Sequence, residues 1–264
     1  KLANKNILDP NNVKEEDLKD ANINRATLQG FRNIIAMIEK GDVDVSGARD
    51  WYSEEVTRAM DILKAEFPEI ASVPANEQFA KMVLAITSHG SNVKANWHMM
   101  NGLLKDYFET GKFRTKEFTY IHKKTGKEVT NDGTVYIDID GKEKVVGGRY
   151  RTLVHNQLKD LENMVNEYGI HGAMMLMLTK TQGRKLGEKI GFKNITKGGD
   201  HFGAERFGPK IGPFFLNLNG ISELPTLDQW WTRTWNRWMG TPLSKAGKMV
   251  ETPRNKSERN AMRE

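Results

Sequence analysis

The stretch Phe207-Gly208-Pro209-Lys210, with the apolar run 211–218 behind it, decides how the chain is read. It predicts a tight turn entering a helix, with Pro209 at the first position, where a missing N–H costs nothing. The free amides of such a turn, with Lys210 beside them, form a seat for a phosphate. Pro213 removes a main-chain bond one turn further on and predicts a bent start, and Gly220 ends the helix. Next comes Leu224-Pro225-Thr226-Leu227-Asp228-Gln229-Trp230-Trp231-Thr232-Arg233-Thr234-Trp235-Asn236-Arg237-Trp238. Thr226 and Gln229 are spaced as a capping box, which puts Asp228 in the first helical turn, where the dipole favours the carboxylate. Trp231, Trp235 and Trp238 share one helical face, Arg233 and Arg237 another. A tryptophan stripe at that spacing is first of all core, although Trp230 and Trp231 are also placed to line a pocket.

Working outward, 31–39 and 51–67 recur at helical spacing through Trp51, Val56, Met60, Ile62 and Leu63. Pro74 and Asn76 open a stronger helix striped by Phe79, Met82, Val83 and Ile86 and closed at Gly90. Ser91 and Asn92 then cap a helix running through Val93, Trp97, Met100, Leu104 and Phe108 to Gly111. From 114 to 150 the pattern changes. Phe118, Tyr120, Val135, Ile137, Ile139 and Val145 alternate with polar residues around Lys-Thr-Gly, Asn-Asp-Gly and Asp-Gly turns, which predicts an inserted β-meander. Helical spacing returns at Leu153, Leu158, Leu161 and Val165, and again at 173–178, where the methionines read as core filler. The expected organisation is an amino-terminal arm (1–30), a helical region (31–113), the β-rich insert (114–150), a second helical core (151–243) and a basic tail (244–264). The chain starts at Lys1 rather than Met, and Pro253 to Glu264 reads as the charged opening of a helix with nothing after it, as expected for a piece of a longer protein.

A chain of 264 residues, 38% hydrophobic, can bury a sizeable core. Its mean hydropathy of -0.62 implies a polar surface. Forty Lys and Arg against thirty-four Asp and Glu give a formal +6 and favour polyanionic partners. Zero cysteines exclude disulfides, thiolate zinc sites, cysteine nucleophiles and thiolate-held iron–sulfur clusters. No apolar run approaches membrane-spanning length and no signal-like core opens the chain, so the expectation is a soluble, intracellular (cytoplasmic), monomeric protein without cofactor or metal. His201 beside Asp200 is poor metal-ligand spacing.

The segment 206–238 resembles the helix-hairpin-helix DNA glycosylases related to endonuclease III. In that family a glycine hairpin precedes a catalytic lysine, and a catalytic aspartate opens a later helix reading Asp, four residues, Arg, two residues, Asn-Arg. Here Gly208 precedes Lys210, Asp228 follows 18 residues later, and Arg233, Asn236 and Arg237 fall at the matching offsets. The stretch 85–96, Ala-Ile-Thr-Ser-His-Gly-Ser-Asn-Val-Lys-Ala-Asn, is similar to the family's helix-turn-helix segment, with His89 in place of the polar residue that enters DNA beside the extruded base. The likeness covers 75–112 and 150–243. It departs from the family at Arg206, which replaces the first hairpin glycine, at Pro213, and in lacking the cysteine cluster of many members.

The resemblance implies a mainly α, glycosylase-like fold with double-stranded DNA as partner, a divergent and phage-type member included. It makes Asp228 and Lys210 catalytic, sets Arg206, Gly208, Pro209, Lys210, His89, Asn92, Arg233 and Arg237 on DNA, and assigns Trp230 and Trp231 to the base pocket. The chemistry is consistent with this. Breaking an N-glycosidic bond develops positive charge on the sugar, which a carboxylate stabilises, and an amine of lowered pKa can attack the sugar carbon to give a Schiff base and AP-lyase activity. Aromatic side chains suit an extruded base. Two alternatives stay open: an enzyme of this fold that hypermodifies a DNA base, and a DNA-binding scaffold without catalysis.

Overall fold

The computed structural model describes residues 40, 46–89, 91–121, 125–190, 199–222, 226–227, 232, 236 and 250, with the side chains of 46–55 and 149 excepted. The chain forms two compact units, Arg58–Leu224 and a second made of Lys1–Thr57 with Pro225–Glu264. The segment 206–238, continuous in sequence, is therefore shared between them. Asp228, Trp230, Trp231, Arg233 and Arg237 lie outside the described residues. So do the expected arm, the helix at 31–39 and the basic tail apart from Val250.

The architecture is mainly helical with a small antiparallel sheet: α1 (Ser46–Glu66), α2 (Pro68–Ser72), α3 (Pro74–Thr87), α4 (Val93–Thr110), β1 (Thr115–Ile121), β2 (Glu128–Ile137), β3 (Glu143–Val145), α5 (Arg151–Leu178), β4 (Lys180–Gln182), α6 (Gly183–Ile190), β5 (Asp200–Phe202) and α7 (Gly208–Leu218). No described helix is long and apolar enough to cross a membrane.

Helix α3 is the hub of the larger unit, touching α2, α4, α5 and α7. Its sequence explains this: Phe79, Ala80, Met82, Val83, Leu84, Ala85 and Ile86 are apolar on every side, and all are buried. Each large side chain among them contributes about 1.5–3 kcal/mol by leaving water. Around it pack Met100, Leu103 and Leu104 of α4, Leu158 and Leu161 of α5, and Ile211 and Phe215 of α7, each at most 1% exposed. Asn96 of α4 adds a polar tie, its Nδ2 donating to Leu84 O at 3.1 Å in the buried interior. The N-cap of α3 is Val73, whose side chain cannot cap, with Pro74 in the first turn, and Asn76, inside the helix, donates its Nδ2 to Glu69 O. Gly111 ends α4 at φ 74°, a left-handed cap.

Three strands pair antiparallel in the order β1–β2–β3, and β4 pairs antiparallel with β5 in a separate two-stranded sheet. Two expectations are corrected here. Asn131-Asp132-Gly133 is not a turn but lies inside β2, paired with 116–118 of β1. A Cβ at Gly133 would meet the Phe118 ring at 2.8 Å, so the glycine serves close packing rather than chain reversal. Ile139 belongs to the turn around Gly141 rather than to a strand and is 85% exposed. The sheet docks through Gly102, where a Cβ would lie 2.7 Å from Ile137 O. The long run 151–178 carries both helical patches expected from the sequence, divided at Gly169, whose φ of 70° no helix accepts. Met174 and Met177 are fully buried, as filler should be, but Met175, expected in the same role, is 50% exposed on the outer face of the helix.

Candidate nucleic-acid interface

The turn before α7 has the local structure its residues dictate. Phe207 closes a 3-10 turn (Gly203–Phe207), and Gly208 follows at φ 92°, a region that any other residue enters only with strain. Pro209 occupies the first turn, where its missing N–H costs nothing. Pro213 sits within α7 and is buried. Gly212 lets the helix lie directly on the preceding turn, because a Cβ there would stand 2.7 Å from Ala204 O.

This packing aims Lys210 at the far end of α3. Its Nζ donates to Ser88 O at 2.8 Å, across 122 residues of chain. Ser88 is the C-cap of α3, so the ammonium meets a carbonyl at the negative end of a helix dipole. Next to it His89 lies against Tyr150, ring centres 5.7 Å apart. The imidazole is pushed down to about 4, first by burial and then by the Lys210 charge, against a smaller upward pull from Gln157. His89 is therefore neutral at physiological pH. Its Nε2 and Gln157 Oε1 are both buried and neither has a well-formed hydrogen bond. Gln157 itself reaches from α5 to the turn, its Nε2 donating to Phe207 O at 3.2 Å.

The cluster thus joins three elements: the 88–92 turn after α3, the 207–210 turn before α7, and α5. Of the residues expected on DNA, Lys210, Gly208, Pro209 and His89 meet here. Asn92 stands in the same 88–92 turn but is occupied as a helix cap, its Oδ1 accepting from Ala95 N at 2.8 Å, while Ser91 Oγ donates back to Thr87 O. Arg206 is turned to Asp160 of α5 at 3.0 Å. His89 points its Nε2 into the protein rather than outward. Gln157 and Tyr150 were not signalled by the sequence, because neither their spacing nor their chemistry marks them apart from other helix and turn residues. Among the described residues no group of three His, Cys, Asp or Glu could hold a metal ion. His201 instead contacts Glu205 at 3.1 Å.

What this arrangement offers chemically is one ammonium beside one neutral imidazole. The cation can meet a phosphate, and a neutral imidazole can accept or donate a hydrogen bond without repelling that cation. No protein-family model matches the chain, nor does any curated protein or solved structure.

Proposed function

We propose that the chain is a DNA N-glycosylase that excises a modified or mismatched base from duplex DNA. The observation that carries this reading is the contact of Lys210 with Ser88. It brings together, from 122 residues apart, the two turns that the resemblance independently sets on DNA. In the proposed reaction Asp228 supplies the negative charge that offsets the developing cation on the sugar as the base departs, and water completes the substitution at the sugar carbon. Lys210 acts as an ammonium at the DNA backbone. A Schiff base would require it to release Ser88 O and lose its proton, and the helix-end carbonyl opposes both. The preferred form is therefore a glycosylase without a lyase step.

The test is incubation of the full chain with duplexes carrying different modified bases, with product read before and after alkali, since alkali cuts abasic sites. Free base in the product, and its loss in Asp228→Asn with duplex affinity kept, is the expected result. An altered base still attached to DNA would overturn excision in favour of hypermodification. Borohydride trapping of a protein–DNA adduct that Lys210→Gln abolishes would restore the lyase step.

A further inference from the structure

Gln157 of α5 stands between the two turns of the site and touches both. Its Nε2 donates to Phe207 O at 3.2 Å, in the turn that leads to Lys210. On its other side it lies within hydrogen-bonding reach of His89, in the turn after α3. Two atoms of this pair, Gln157 Oε1 and His89 Nε2, are sealed from solvent and have no well-formed bond to any other group.

The chemistry of the groups fixes how they face. A main-chain carbonyl only accepts, so Phe207 O requires the NH2 end of the Gln157 amide. That leaves Oε1 for the imidazole, and an amide oxygen also only accepts. The two buried atoms can therefore satisfy each other in one way, with the proton of the neutral ring on Nε2 and donated to Oε1. The opposite tautomer would set two lone pairs against each other where water does not reach. Lys210 is the charged group that acts on the ring, and together with burial it keeps a second proton off, while Tyr150 packs on the ring with centres 5.7 Å apart.

The lone pair is then on Nδ1. Among the described residues nothing donates to Nδ1, and unlike Nε2 it is not sealed from solvent. Beside the Lys210 ammonium the protein thus presents an acceptor. Phosphate oxygens accept as well and cannot bond to it, whereas base edges carry N–H groups, at N4 of cytosine, N6 of adenine and N2 of guanine.

We propose that Gln157 is a positioning residue that holds His89 in its Nε2–H form, so that Nδ1 reads an N–H group on a DNA base and the phosphates are left to Lys210. The DNA partner is taken from the glycosylase reading, whereas the tautomer is not. The full chain, labelled with nitrogen-15 at histidine, is followed by two-dimensional NMR at about pH 8, with His89→Gln identifying the signal. The wild type is expected to carry the proton on Nε2. Gln157→Met, which fills the same space without an amide, should lose that preference and show a mixture, and Gln157→Glu, which keeps an acceptor, should retain it. Fluorescence anisotropy is measured on duplexes with one mismatched adenine, cytosine or guanine, each compared with the same duplex carrying purine, pyrimidin-2-one or hypoxanthine, which lack the amino group. The wild type should favour an amino-bearing base at least about fivefold in one of these pairs, and Gln157→Met should cut that preference below about twofold. A wild-type ring protonated on Nδ1, or an unchanged tautomer in Gln157→Met, would overturn the positioning role. Equal affinity within every pair would overturn the reading of a base. Absence of base release with tautomer and preference both intact would sink excision alone.

Discussion

Acid should weaken the larger unit in a pH window set by His89. In the unfolded chain this imidazole titrates near its ordinary 6.5, whereas in the folded protein it is held at about 4 by burial and by Lys210. Between those values the unfolded state binds a proton that the folded state refuses, so stability is fully present above pH 6.5 and falls as pH drops towards 4. Each pH unit inside the window is worth at most about 1.4 kcal/mol. Allowing for the solvent that His89 still meets, the loss amounts to about 2–3 kcal/mol. His155, also depressed by burial, adds a contribution of the same sign. Glu77 and Asp138, carboxylates lowered by their lysine partners, add theirs only at more acid pH. Comparison with His89→Gln isolates one residue. The assay is urea unfolding followed by tryptophan fluorescence at intervals between pH 7 and 4.5. The variant should start lower, having lost its packing on Tyr150, but should fall less steeply between pH 6.5 and 5. Parallel curves for the two proteins would refute the buried, neutral His89, as would an imidazole NMR titration midpoint above 6.

Removing the cation in Lys210→Met should raise the His89 midpoint, read by the same NMR titration, and cost about 1–2 kcal/mol for the lost bond to Ser88 O. An unmoved midpoint would mean that the two groups do not interact. Gly203→Ala would drive a Cβ to 2.3 Å from Leu176 O, a main-chain atom that cannot step aside. The expected cost is at least about 2 kcal/mol, seen as a drop of several degrees in a calorimetric melt, and a shift under one degree would contradict it. Arg206→Ala should cost less than about 1 kcal/mol, because the side chain of its partner Asp160 is 47% exposed and the pair is partly screened by solvent. If Arg206 also touches phosphate, the salt dependence of duplex binding should flatten by about one counterion.

Helix α4 could be bounded at both ends from the sequence, and α3 at its start, because those signals are local, whereas α3 ends at Thr87 with Ser88 as its cap, short of the expected Gly90. Asn92 caps its own helix three residues on, Gly111 takes a conformation that glycine favours, and the stripe through Phe79 and Ile86 repeats at one period. The sheet was legible as a region but not residue by residue. Asn131-Asp132-Gly133 has turn composition, yet its glycine is fixed by the Phe118 ring lying over it, a contact made between strands. Strands β4 and β5 went unsignalled, since three residues such as Lys180-Thr181-Gln182 are too few to show a period. At the site, Lys210 and His89 were picked out by type and position, but nothing in either segment indicates that Ser88 O would receive the ammonium or that Gln157 would bridge to Phe207. Partners 50 and 122 residues apart are chosen by the packing of whole helices around α3.

The span between Ser88 and Lys210 also orders events in time. A ribosome adds about 5–20 residues per second, so roughly ten seconds separate the synthesis of the α3 terminus from that of the lysine which completes it. Throughout that interval the Ser88 carbonyl can be satisfied only by water or by other groups, and His89 lacks the ammonium that later depresses it. A nascent chain halted before Lys210 should therefore carry an imidazole that titrates closer to its ordinary value. The protonation of a single side chain would then report, during biosynthesis, whether the second half of the fold has arrived.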